Sequence, residues 1–159
     1  MNKIDFLNKL KKEGKIQLVD PNENIKDSYL KKSKNSMTSA EILLRNNQLE
    51  DSIVCVYYSM YNLLIGLLFK IGIKSENHTA SIIFLKDIFD IDNFYIKFCK
   101  AERIDKQYYI GFSITKEQVE ESIKKAKIFN SDLLNFILRI NHDSLNFYRN
   151  KFKKIMGFK

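Results

Sequence analysis

Within ten residues the chain places Lys100, Arg103, Asp105, Lys106, Tyr108 and Tyr109, two kinds of cation interleaved with two phenol rings. Phosphates and bases call for that mixture, because a guanidinium can take a phosphate bidentately while a tyrosine ring stacks on a base. The same residues have a plainer use, with Tyr108 and Tyr109 as half-buried anchors at a helix end and Arg103 paired to Asp105 or Glu102. Proton transfer near neutral pH has two candidates, His78 and His142. His78 follows the polar run Lys74-Ser75-Glu76-Asn77 and precedes Thr79, a place to pack at a helix start or to touch a nucleotide. His142 stands beside Asp143 and three residues after Arg139, a spacing that makes a solvated patch on a helix surface.

Other chemistries lack their residues. The chain has no glycine-rich phosphate loop, no His-Glu-x-x-His, no Cys-x-x-Cys and no Gly-x-Ser-x-Gly, which sets aside P-loop, zinc-protease, zinc-ribbon and hydrolase-elbow mechanisms. No metal and no cofactor are expected. Cys55 and Cys99 both lie in apolar stretches, which suits a reducing compartment rather than a disulfide framework. Twenty-seven Lys and Arg against 19 Asp and Glu give a net charge of +8, so an acidic partner such as RNA or a nucleotide fits.

The elements that must position these groups read as helices. One Pro and five Gly in 159 residues are too few for the turns of an all-β protein. The expected fold is all-α, an antiparallel up-and-down bundle of four to five main helices with short flanking helices, in a single domain. Residues 1–21 make an N-terminal helix and linker, 22–142 the core bundle, and 143–159 a basic C-terminal helix. Asp20-Pro21-Asn22 breaks the chain and Asn22 caps a long helix reaching Arg45. A second long helix runs from Leu49 to Lys70-Ile71 and stops at Gly72. Helices are expected over about Thr79 to Phe89 and Phe94 to Lys106. Thr115-Lys116-Glu117-Gln118 has the capping-box form and opens the next one, whose Val119, Ile123, Ala126, Leu133, Leu134 and Ile137 point inward. That helix kinks near Asn141-Ser144 into a last one with Leu145, Tyr148, Phe152 and Ile155 on one face.

From Ser52 to Phe69 no side chain is charged, which is the length of a membrane span. Tyr57, Tyr58, Ser59, Tyr61 and Asn62 in its middle instead predict a central helix buried among others. No membrane association is expected, and with no secretory signal at the N-terminus the protein is placed in the cytoplasm.

Four segments carry a resemblance: Ser39-Ala40-Glu41-Ile42-Leu43-Leu44, Tyr57-Tyr58-Ser59-Met60-Tyr61-Asn62-Leu63-Leu64, Gly72-Ile73-Lys74-Ser75-Glu76-Asn77-His78-Thr79 and Arg103-Ile104-Asp105-Lys106-Gln107-Tyr108-Tyr109. Together they resemble the small single-domain prokaryotic and archaeal members of the HEPN domain family, over roughly residues 25 to 140. The resemblance implies a helical bundle, commonly a homodimer, with a cleft for RNA or a nucleotide. It also implies a toxin-antitoxin-like or stress-defence setting with a small nucleotidyltransferase as partner. Active members carry Arg, four to six residues, then His. Here Arg103 supplies the Arg, but Tyr108 stands five residues on and no His follows, while Asn62 replaces a His common in the subgroup.

The expectation is therefore a domain that binds RNA or a nucleotide through Lys100, Arg103, Lys106, Tyr108, Tyr109, His78 and Asn62, without efficient catalysis. One alternative is a metal-independent endoribonuclease toxin using Arg103 with Tyr108 or His78. A second is a bundle whose work is protein interaction.

Overall fold

The computed structural model describes the backbone of residues 2–108 and 113–159, and the side chains of all of these except 104–108. Seven helices and two short strands occur among the described residues: α1 (Lys3–Lys12), β1 (Ile16–Leu18), α2 (Glu23–Arg45), α3 (Leu49–Ile71), β2 (Ile73–Ser75), α4 (His78–Asp87), α5 (Phe94–Tyr108), α6 (Lys116–Arg139) and α7 (His142–Met156). The all-α reading holds, with one addition. β1 and β2 pair antiparallel, Ile16 opposite Ser75 and Leu18 opposite Ile73, so part of the run read as a polar loop is strand.

The helix starts follow their local chemistry. Asn22 accepts from the Ile25 amide, Asn77 from Ala80, and Thr115 and Gln118 form the reciprocal capping box, each satisfying amides that a first helical turn leaves open. α6 does not kink into α7. It ends at Arg139, Ile140 takes an extended conformation, and Asn141 with Ser144 builds a second capping box that starts a separate helix.

α3 is the centre of the bundle, because a helix apolar on nearly every side must be surrounded. α2 packs antiparallel against it, α4, α5 and α6 cover further faces, and α7 reaches its C-terminal end. By length and composition α3 is apolar enough to cross a membrane, yet 72% of its most apolar stretch is buried inside the protein. Tyr57, Met60, Leu64, Leu67, Leu68 and Ile71 are fully buried with Phe84 of α4 and Phe152 of α7. The polar side chains on α3 find partners there. Ser52 Oγ donates to the Ala40 carbonyl at 2.7 Å, and Ser33 of α2 donates to the Ser59 carbonyl at 2.6 Å, as burial of a hydroxyl requires.

Leu134, read as inward, is not buried, and neither is Ile155 on the apolar face of the last helix. Leu134 is 36% exposed and Ile155 40%. Leu134 borders an open groove of about 610 Å³ between α2 and α6, with Leu30, Met37 and Leu63.

The turn from α3 into β2 is a tight point. Gly72 sits at φ +81°, a left-handed conformation that costs an L-residue energy. Arg149 of α7 reaches across to it, one guanidinium nitrogen donating to the carbonyls of Val19 (2.7 Å), Ile71 (3.0 Å) and Gly72 (3.2 Å). The last helix is thereby tied to the ends of the two strands and of the central helix.

Candidate functional site

Helical spacing sets the first part of the site. Tyr57 and Tyr61 lie one turn apart on α3 and Tyr58 is adjacent, so the three phenols leave the helix toward α4 and α5. His78 is the first residue of α4, held there by the Asn77 cap. Lys100 and Arg103, three residues apart on α5, share one helix face.

The tertiary fold brings these side chains together. Tyr61 and His78 stack with ring centroids 3.8 Å apart and planes 10° from parallel. Tyr57 Oη lies 2.7 Å from His78 Nδ1, and its own ring stacks on Tyr61. The Arg103 guanidinium sits 5.2 Å from the Tyr57 ring centre and 5.5 Å from that of Tyr58. One of its nitrogens, Nη1, donates to Tyr58 Oη at 2.8 Å. Lys100 Nζ donates to Thr79 Oγ1 at 2.5 Å. Beneath the column, Ser81 Oγ contacts Ser75 Oγ and the Asn77 carbonyl at 2.9 and 3.0 Å, fixing the first turn of α4.

Among the described residues, no carboxylate pairs with either cation of this arrangement, Arg103 or Lys100. Burial and the Arg103 charge together push the Lys100 ammonium below its usual range. His78 is pushed down to about 4, first by burial and then by Arg103 and Lys100, so its ring is neutral at pH 7. Burial raises the Tyr57 and Tyr61 phenols above the ordinary tyrosine range. Arg103 Nε is buried with no acceptor among the described residues, and a buried donor left unmet costs about 1–3 kcal/mol. Two cations, a neutral imidazole and an unmet donor are suited to receive an anion.

The depressed His78 carries a sign for stability. Between the ordinary value of 6.5 and about 4, the unfolded chain takes up a proton at this ring and the folded protein does not. Stability therefore falls as pH drops through that window. Thermal unfolding at pH values from 7 to 4 should show a shallower decline for His78→Gln than for the wild type; identical slopes would contradict the burial described here.

Of the residues named from sequence, the fold joins Lys100, Arg103 and His78. The side chains of Lys106 and Tyr108, and Tyr109 altogether, lie outside the described residues. Asn62 turns toward α2, its amide donating to Ser36 Oγ at 3.4 Å, and no described contact links it to Arg103. Sequence reasoning passed over Tyr57, Tyr58, Tyr61 and Thr79 as site residues. The signal was present in the aromatic spacing on α3, but nothing local says that those rings meet His78 and Arg103. His142 is exposed at the start of α7, contacting Asn146 Nδ2 at 3.0 Å. Among the described residues no group of three His, Cys, Asp or Glu converges as metal ligands would.

Neither the curated proteins nor the solved structures give a significant match to this chain. The model of the HEPN domain family matches residues 27–135, which takes in α3, α4, α5 and most of α2 and α6, and so the whole of the Arg103, Lys100 and His78 cluster. That match covers more than half of the sequence, and the protein belongs to the HEPN domain family.

Proposed function

We propose that this HEPN domain binds RNA or a nucleotide, with the phosphate held at Arg103, Lys100 and His78 over the floor made by Tyr57 and Tyr58. The observation that carries the reading is the buried, unpartnered Nε of Arg103 beside a second cation, Lys100, in the absence of a described ion pair to either. Phosphate oxygens are acceptors only, and a planar guanidinium matches them in geometry and charge. Family membership and the charge of +8 support the same class of ligand.

The domain acts by binding rather than by efficient scission, since the position five residues beyond Arg103 is Tyr108 and the Arg-x(4–6)-His pattern lacks its His. A phenol has a pKa of about 10 and is a poor base at neutral pH. Its setting, in this reading, is a homodimer working with a nucleotidyltransferase-type partner in a toxin-antitoxin-like or stress-defence role. Phe94 and Phe98 on α5, 71% and 47% exposed, supply an apolar face suited to such an association.

A metal-independent endoribonuclease is the second reading, favoured by His78 and Arg103 sharing contacts with Tyr57. An RNA incubation with EDTA at neutral pH and low salt, alongside a binding titration at several salt concentrations, separates the two. The expected result is salt-sensitive binding with intact RNA, because phosphate contacts release counterions. Products ending in 2′,3′-cyclic phosphate would make the protein a nuclease. Loss of both binding and cleavage would remove the RNA reading.

A further inference from the structure

Tyr57 is fully buried, and a buried hydroxyl must place its proton on an acceptor. His78 Nδ1, at 2.7 Å, is the acceptor that the described residues offer it. Burial holds the phenol protonated, so Tyr57 Oη donates and Nδ1 accepts. A neutral imidazole that accepts at one nitrogen carries its hydrogen on the other. The Tyr61 ring at 3.8 Å fixes the imidazole plane, and His78 is half-buried rather than enclosed. Among the described residues, the charged and titratable groups around the ring are Tyr57, Tyr58 and Tyr61 from α3 and Lys100 and Arg103 from α5. Both cations disfavour a positive imidazole, which keeps the ring in its neutral form at pH 7.

We propose that Tyr57 is a positioning residue that fixes His78 with Nδ1 as acceptor and Nε2–H as donor, so that His78 donates to the bound phosphate and does not take a proton from the substrate. The proposal rests on the phosphate site described under Proposed function. It makes Arg103, Lys100 and His78 three donors converging on one ligand position. It also explains how a histidine can sit in this cleft without acting as a base, because Nε2 already bears its proton and Nδ1 is occupied by a phenol.

The tautomer is directly observable. In full-length protein carrying ¹⁵N-histidine, long-range proton-nitrogen correlation spectra distinguish a protonated from an unprotonated ring nitrogen, and His142→Asn assigns the two histidines. The wild type should show Nδ1 of His78 unprotonated and Nε2 protonated at pH 7. Tyr57→Phe keeps the ring stack and deletes the O–H. It should give a mixture of tautomers, raise the His78 titration midpoint because imidazolium no longer forfeits an accepted hydrogen bond, and weaken binding of a short oligouridylate several-fold. Tyr57→Leu, which also removes the ring, reports the packing contribution separately through its melting temperature.

An unprotonated Nε2 in the wild type would overturn the proposal, and so would a Tyr57→Phe protein with unchanged tautomer and unchanged affinity. A lowered midpoint in Tyr57→Phe would mean that Tyr57 accepts rather than donates, which also overturns it. If the tautomer is as stated but wild-type protein shows no salt-sensitive binding of oligouridylate, the donor role falls together with the phosphate site, while the ring assignment stands. The failure of the site and the failure of the tautomer are thus read from different signals.

Discussion

Arg103→Ala should lower the affinity for a short single-stranded RNA by about ten- to a hundredfold, the fold-change that corresponds to losing a charge-assisted contact of roughly 1.5–3 kcal/mol. The guanidinium reaches the site from α5 and lies against two rings of α3, with Nη1 committed to Tyr58 and Nε buried beside it without a described acceptor. A ligand phosphate therefore meets a donor group that is already oriented, and little side-chain freedom is lost on binding. Fluorescence anisotropy at a series of salt concentrations gives a second readout. Removal of one phosphate contact should reduce the slope of log affinity against log salt by about one.

Arg103→Lys separates charge from shape. An ammonium keeps the charge but cannot span two phosphate oxygens in a plane, so its affinity should fall between those of wild type and Arg103→Ala. Arg103 also packs on Tyr57 and Tyr58, and circular dichroism melting checks that the helices remain in place. Unchanged affinity in a folded Arg103→Ala protein would show that the phosphate is held elsewhere.

Gly72→Ala should be the most damaging small substitution in the fold. A Cβ at this position would lie 2.0 Å from Arg149 Nη1 and 2.3 Å from the Val19 carbonyl oxygen, distances that atoms cannot occupy. The left-handed backbone at φ +81° adds about 1–2 kcal/mol for any residue with a Cβ. Arg149 could swing away only by giving up the three carbonyls that share the two hydrogens of Nη1, at about 1 kcal/mol for each hydrogen bond lost. A loss of roughly 3 kcal/mol or more follows, seen as a melting temperature lower by about 6–12 °C for a protein of this size. Arg149→Ala alone should cost less, and the double variant should be less destabilised than the sum, since both changes act on the same contact. A melting temperature within about 2 °C of wild type for Gly72→Ala would contradict the geometry of this turn.

Local signals were legible in the sequence. Asn22, Gly72 and the Thr115–Gln118 pair each act on amides or carbonyls within four residues, so their roles follow from neighbours in the chain. The all-α class, the extents of α2 and α3, and the burial of α3 came from composition and periodicity. The capping box at Asn141 was read as a kink because its third position is Ser144 rather than the usual Glu or Gln. The family resemblance over roughly residues 25 to 140 agrees with the match to residues 27–135.

What the tertiary structure decided was every contact between segments far apart in sequence. β1 and β2 are three residues each and pair Ile16 with Ser75, too short for a period to appear and too distant for a turn signal. Leu134 and Ile155 lie on apolar stripes, but a stripe does not say whether another element covers it. The site shows the same division. Lys100 and Arg103 were visible as a helical pair, His78 as a loop-edge histidine and Tyr57, Tyr58 and Tyr61 as one aromatic run. Their meeting depends on how α3, α4 and α5 pack, and that is set by side-chain volumes buried between helices, which act across the whole core rather than along the chain.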